Sequence, residues 1–291
     1  MPEYALEFNS VCKTYGDTKA LDSVNLNIKP NEKVALLGCN GAGKSTFLNI
    51  ATGLGLPSKG EVKILNQNPL SLKSRFQVSF LPQVLKFPSF LKVKDVIKVV
   101  EGHFNDNLLR TTLDRLRLTP FLNHYCHSLS GGEERKLSFA LSLLGRRRFL
   151  ILDEPTANID ILSKREVHEL LKDHLKKEQG ALLFSSHEMH EVEHLADRVV
   201  VLNQGRIIAD GSVHQIKKSF SSTKVTFECA QEDLQFSTAL KLERENKTYT
   251  LYGESGDDIV KELIQVTKSF YNLRVEPISL EEVFVKIWGQ Q

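Results

Sequence analysis

The stretch from Lys33 to Thr46, KVALLGCNGAGKST, leaves this chain the least freedom. KVALLG is an apolar run of strand character. It feeds a turn that satisfies G-x-x-x-x-G-K-[ST] at Gly38, Cys39, Asn40, Gly41, Ala42, Gly43, Lys44 and Ser45. STFLNIATG follows, with apolar residues at helical spacing and a glycine stop at Gly53. Strand, glycine turn and helix in that order make an anion cradle. The glycines let backbone amides curl around a phosphate, and the helix aims its positive end at the same point. In this pattern Lys44 reaches the outer phosphate oxygens, and the Ser45 hydroxyl is placed to ligate Mg2+. The feature predicts an α/β chain.

Two further stretches supply what a bound phosphate needs. RRRFLILDEP and GALLFSSHE are continuous apolar runs, as in parallel strands buried on both faces. SKREVHELLKDHLKKEQG between them is an amphipathic helix suited to the right-handed crossover. FLILDEP delivers Asp153 to a strand end, where a carboxylate can hold Mg2+ through water. Glu154 comes next, placed to orient and deprotonate an attacking water. Leu129-Ser130-Gly131-Gly132-Glu133 opens the helix EERKLSFALSLL with a serine N-cap and two glycines. It is a second place where amides and a helix dipole face an anion.

Around these motifs, ALEFNSV, SVNLNIK, GEVKIL and FQVSFLPQ read as strands, and residues 90–147 as mainly helical. DRVVVLNQGRIIADG reads as a hairpin turning at Asn203-Gln204-Gly205. After Ser219 the character changes. SFSSTK reads as a linker, KVTFECA and KTYTLYGE as strands, Asp257–Lys268 as a helix, and NLRVEPISLEEVFVKIWG as a last strand and helix. The expected division is residues 1–220 and a small accessory domain at 222–291.

One stretch competes for attention. His190-Glu191-Val192-Glu193-His194 fits H-E-x-x-H, in which two histidines one turn apart hold zinc and the glutamate acts as base. Its helix would pack Met189, Val192, Leu195 and Ala196 inward, no third ligand stands out, and a zinc peptidase leaves the glycine loop unexplained. The phosphate reading takes precedence.

Composition narrows the partners. The 291 residues carry a net charge of +2, too small for a general attraction to nucleic acid or anionic lipid. Arg146-Arg147-Arg148 and Lys172 to Lys177 read as solvated faces and helix ends. Cys12, Cys39, Cys126 and Cys229 form no CxxC pair, against both a disulfide framework and a zinc ribbon. Neither a signal sequence nor an apolar run of the roughly 18–20 residues that cross a bilayer stands out.

Together these residues resemble the nucleotide-binding subunit of an ATP-binding cassette (ABC) transporter, in the family's order over residues 4–215. GCNGAGKST is similar to the Walker A motif, FLILDEP to Walker B with its catalytic glutamate, and LSGGE to the signature motif. Gln83 in FLPQ matches the Q-loop, Ala157 to Asp160 the D-loop, and His187 in SSHE the switch histidine. Tyr15 in KTYG matches the aromatic that stacks on adenine. The resemblance implies that Tyr15, Gly38 to Thr46 and Gln83 bind ATP, and that Ser45, Gln83 and Asp153 serve Mg2+. It implies catalytic roles for Glu154 and His187, and a D-loop role for Asp160. Ser130, Gly131, Gly132 and Glu133 would reach the ATP of a second subunit. The implied fold is that of P-loop NTPases: a RecA-like core, an antiparallel β-subdomain and a helical subdomain near 85–147. A small C-terminal α/β appendage is added here.

The chain departs from the family pattern twice. Glu133 stands where the signature usually carries glutamine, which bears on ATP-driven closure. TANID keeps only the alanine and the aspartate of the usual SALD, which bears on coupling between two sites. PISLEEVFVKIWG resembles the ending of ATPase subunits that energise multidrug, polysaccharide, sodium or copper-maturation exporters. By resemblance the chain forms an ATP-driven head-to-tail homodimer. It would sit in the cytoplasm on the inner face of the cell membrane, bound to permease subunits near Gln83 and VLKFPSFLKV, with no nucleic-acid partner. A soluble ABC ATPase acting on a protein or nucleic-acid assembly, and a nucleotide-gated regulator, are the alternatives.

Overall fold

The computed structural model describes residues 2–102, 104, 108–145, 147–219, 223–267 and 269–289. The elements run β1 (Leu6–Tyr15), β2 (Thr18–Ile28), β3 (Lys33–Leu37), α1 (Lys44–Ala51), β4 (Lys59–Ile64), α2 (Leu72–Gln77) and β5 (Val78–Leu81). Then come α3 (Val93–Glu101), α4 (Leu108–Arg115), α5 (Gly131–Ser142), β6 (Phe149–Asp153), α6 (Ile161–Glu178), β7 (Ala181–Ser185) and α7 (Met189–Leu195). β8 (Arg198–Asn203), β9 (Arg206–Gly211), α8 (Val213–Ser219), β10 (Thr223–Glu228), β11 (Lys241–Glu245), β12 (Thr248–Gly253), α9 (Gly256–Val266), β13 (Tyr271–Pro277) and α10 (Leu280–Gly289) complete the chain.

Alternation builds the first sheet. Leu6, Phe8 and Val11 of β1, and Val24, Leu26 and Ile28 of β2, are buried while their neighbours face out. β1 lies between β2 and β4, antiparallel to both, with Phe8 opposite Leu26 on one side and Val62 on the other. The second sheet has the order β5-β6-β7-β3-β8-β9. Its β5, β6, β7, β3 and β8 run parallel, and every residue of β6 and β7 is buried, as the uninterrupted apolar runs require. α6 makes the crossover from β6 to the adjacent β7. α1 packs against the core formed by the two sheets, where Phe47 stacks on Phe8 at 4.2 Å between ring centroids.

Strand order places the chemistry. β3 and β6 both neighbour β7, with Leu36 and Asp153 each paired in register with Ser185. The residues that follow these three strands therefore emerge side by side at the carboxyl edge of a parallel sheet, where such sheets bind ligands.

The chain separates into two compact units, Met1–Asp210 and Gly211–Gln291. The second contains an antiparallel sheet of order β11-β12-β10-β13. Its core joins Val225 and Phe227 of β10, Tyr249 and Leu251 of β12, and Ile259 and Leu263 of α9.

The strands and helices expected around the motifs are present, with local differences. Phe76 and Gln77, assigned to the strand FQVSFLPQ, end the six-residue α2 instead, because Ser71 caps it by accepting from the Ser74 amide. β11, KLERE, is an additional strand, exposed throughout and charged at every position but Leu242. Such an edge strand shows no alternation in its sequence, since neither face is buried. α8 was also not anticipated. Of the expected linker SFSSTK, Ser219 ends α8 and Thr223 and Lys224 open β10, while residues 220–222, like Arg146, lie outside the described residues.

Candidate functional site

At the end of β3 the chain turns into α1 through Gly43, whose φ of 104° lies in the left-handed region. A Cβ on Gly43 would fall 2.5 Å from the carbonyl oxygen of Ala20, so both backbone and space demand glycine. No side chain caps α1 and its first turn holds no acidic residue. The first amides of a helix have no partner inside it, and here none is supplied from the cap position. Lys44 Nζ curls back to donate to the carbonyls of Gly38 (2.6 Å) and Cys39 (3.1 Å). Cys39, Asn40, Gly41 and Ser45 are exposed, Thr46 is half-buried and Ala42 is buried. Phe47, Leu48 and Ile50 anchor the helix, each large side chain contributing about 1.5–3 kcal/mol by burial.

Across the sheet edge stand two consecutive carboxylates with different environments. Asp153, the last residue of β6, is buried and accepts from the Ser185 hydroxyl on β7. Burial pushes its carboxyl above the usual range, and the nearby Glu154 adds to that; the Ser185 bond, Arg135 and Lys44 oppose it. A carboxylate deprived of water in this way is suited to a hard cation. Glu154 takes φ 52°, a left-handed conformation that costs a non-glycine residue about 1–2 kcal/mol. The surroundings hold it there. Its amide donates to the Ser185 carbonyl (3.1 Å) and hydroxyl (3.0 Å), and its carbonyl accepts from Arg135 Nη2 (2.8 Å). The Glu154 carboxylate oxygen Oε1 lies 3.4 Å from Nδ1 of His187, which follows β7 and is exposed.

Arg135 is the residue that motif reasoning missed. Buried in α5, it donates through Nη1 to the carbonyls of Pro82 (2.6 Å) and Gln83 (3.2 Å), and through Nη2 to those of Glu154 and Asp153. Burial lowers its pKa, while Asp153 and Glu154 act in the other direction. One guanidinium thus ties the loop after β5 to the turn after β6. No sequence pattern marks Arg135: its own type is charged, and the buried positions of α5 run without a break from Arg135 to Ala140.

The remaining expected residues are dispersed. Gln83 is exposed in the loop after β5, bonded through its backbone. Tyr15 is exposed at the end of β1, with Lys13 Nζ 4.9 Å from its ring centroid. Ser130 caps α5, and Ser130 and Glu133 bond to each other. Gly132 packs on the turn after β6, where a Cβ would lie 2.8 Å from the Asn158 carbonyl oxygen; a Cβ on Gly131 would meet nothing within 4 Å. Asp160 caps α6 by accepting from the Ser163 amide (2.9 Å), and hydrogen bonds from Ser163 lower its pKa. Among the described residues no hydrogen bond or ion pair joins Ser130–Glu133 to Gly38–Thr46. In the H-E-x-x-H stretch, Glu191 turns into the interior while His190 and His194 are exposed, and Nε2 of His194 lies 2.8 Å from Lys172 Nζ.

The assembled edge offers free helix amides, an ammonium, a hydroxyl, a buried carboxylate, and a carboxylate paired with an imidazole. That set can hold a polyanion and remove a proton from a water beside it.

Comparisons with known proteins agree with this chemistry. A family model described as ABC transporter matches residues 21–157. An uncharacterized ABC transporter ATP-binding protein of Bacillus subtilis is 32% identical over 240 residues, covering 79% of this chain and 78% of that protein. The Nod factor export ATP-binding protein I of Rhizobium etli is 27% identical over 301 residues, covering 99% and 94% respectively. A solved dimeric ATP-binding cassette, in a post-hydrolysis state bound to ADP and Pi, superposes with a TM-score of 0.64 at 26% identity, covering 72% of this chain and 98% of that one.

Proposed function

The chain belongs to the ABC transporter family and is an ATP-binding, ATP-hydrolysing subunit; on that premise we propose how its residues divide the work and which partners they engage. The triphosphate of ATP lies in the cradle of Gly38 to Thr46, with Lys44 leaving its loop carbonyls for the outer phosphate oxygens. Tyr15 stacks on the adenine ring. The Ser45 hydroxyl, the buried Asp153 carboxylate and the Gln83 side chain fit a hard divalent cation. Bound there, Mg2+ neutralises charge on the phosphate oxygens. Glu154 accepts a proton from the attacking water as its oxygen bonds to the γ-phosphorus. The bond from that phosphorus to the bridging oxygen breaks, giving ADP and phosphate. His187 holds the Glu154 carboxylate and reaches toward the γ-phosphate.

The observation that carries this reading is the Glu154–His187 pair at 3.4 Å, on the same sheet edge as Asp153 and the glycine turn.

Two copies close head to tail on ATP, Ser130, Gly131 and Gly132 of one copy completing the site of the other, with Asp160 at the seam. The open side of Gly131 and the dimeric state of the superposable cassette support this arrangement. The closed pair drives a separate integral membrane permease, and the proposal places the chain in the cytoplasm on the inner face of the membrane. Export is the favoured direction, supported by the similarity to the Nod factor export protein. Among the described residues no helix is long and apolar enough to cross a membrane, and the proposal assigns that part to the permease. We assign residues 1–220 to the ATPase domain and 222–291 to an accessory domain.

Glu154→Gln tests the assignment. It should bind ATP normally, lose about 10²–10⁴-fold in turnover, and accumulate as an ATP-dependent dimer on size-exclusion chromatography. A wild-type rate of phosphate release would remove Glu154 from its role.

A further inference from the structure

α7 brings Glu191 inward, where the residue is only 3% exposed. Its carboxylate accepts from three separate segments of the chain. Oε1 takes the Thr156 hydroxyl (2.9 Å) and His168 Nε2 (2.9 Å), and Oε2 takes the Ser186 hydroxyl (2.5 Å). Thr156 is two residues beyond Glu154, Ser186 immediately precedes His187, and His168 comes from α6. Thr156 and Ser186 are themselves buried.

We propose that Glu191 is a positioning residue for ATP hydrolysis, its carboxylate fixing the distance between the turn that carries Glu154 and the turn that carries His187. The inference rests on the function proposed above. The physical need is visible in the backbone. Glu154 is held in a left-handed conformation, and a strained turn relaxes unless its surroundings over-determine it. Ser185 and Arg135 fix the backbone of Glu154 itself, whereas Glu191 fixes the chain two residues further on and joins it to the start of the histidine turn. Ser186 relays the restraint by also accepting from the Glu188 amide at 3.1 Å. Burial works to raise the Glu191 pKa, but the bonds from His168, Ser186 and Thr156 prevail and lower it, so the acceptor stays ionised. Loss of the tie would loosen the 3.4 Å pair without touching the phosphate cradle.

The test uses the full chain with variants Glu191→Gln, Thr156→Val and Thr156→Ser, beside Glu154→Gln as control. Glu191→Gln and Thr156→Val should lower kcat by about ten- to a hundredfold, the scale of a small misplacement of reacting groups, while KM for ATP stays within about twofold. Thr156→Ser keeps the hydroxyl and should restore most of the rate. A purely structural role would instead lower ATP affinity, folded fraction and kcat in step; that pattern, or wild-type kcat in either variant, overturns the proposal. If Glu191→Gln does not fold, Thr156→Val and its serine counterpart decide by the same criteria. If Glu154→Gln itself turns over ATP like the wild type, the failure belongs to the underlying function and not to the tie.

Discussion

α1 and α5 each begin beside glycine and a polar residue, and each points the positive end of its dipole at the place where an anion would arrive, yet they are finished in opposite ways. The cap of α1 is Gly43, which has no side chain to offer, and its first turn carries Lys44 and no acid. α5 closes on itself. The Ser130 hydroxyl accepts from the Glu133 amide (3.3 Å), the Glu133 carboxylate accepts from the Ser130 amide (2.8 Å), and Glu133 and Glu134 both lie in the first turn. An anion site needs amides without partners and a positive potential. α1 retains both, whereas α5 satisfies part of its own demand and adds negative charge. The first can hold phosphate within one chain. On the proposed reading the second serves a ligand carried by another copy, and its own carboxylates would oppose that approach.

The contrast can be broken at its strongest point first. Lys44→Ala removes the one charged donor of the α1 cradle. ATP affinity measured by calorimetry should fall by about 10–150-fold, the value of a hydrogen bond to a charged group, while the melting temperature hardly moves. Unchanged affinity would show that α1 is not the phosphate site. Ser130→Ala opens the α5 cap and should cost about 1 kcal/mol, or about 2–4 °C in thermal melting, with nucleotide affinity of the isolated chain unaffected. A larger loss of ATP affinity than of stability would mean that α5 serves its own chain's nucleotide. Glu133→Gln sharpens the comparison most finely, because glutamine can still accept from the Ser130 amide but carries no charge. Stability should drop by about 0.3–1 kcal/mol through the helix dipole, while ATP-driven dimerisation, measured by sedimentation in the Glu154→Gln background, should strengthen. Weaker dimerisation would assign the Glu133 carboxylate an attractive part in closure.

Legibility in the sequence followed the range of the interactions. The glycine turn was readable because consecutive residues specify its backbone: Gly43 needs φ 104° and the space beside Ala20, and strand and helix flank it directly. β6 and β7 were readable because burial on both faces leaves unbroken apolar runs. Glu191 was misleading for the opposite reason. Its spacing from His190 and His194 matched a zinc pattern, but two of its three partners, Thr156 and His168, lie 35 and 23 residues away, and only Ser186 is near. Arg135 was overlooked because its acceptors are backbone carbonyls, which no residue type announces. β11 was missed because an exposed edge strand has no face to mark.

Consecutive residues settled the cradle, its lysine and the acidic strand end, since turn geometry and helix dipoles depend on neighbours along the chain. Folding had to choose which of the polar side chains would meet: Glu154 with His187, Glu191 with three hydroxyl and imidazole donors, Arg135 with two loops. Those meetings depend on β3, β6 and β7 lying side by side. Strand order arises from packing across the whole molecule, and no short stretch of residues encodes it.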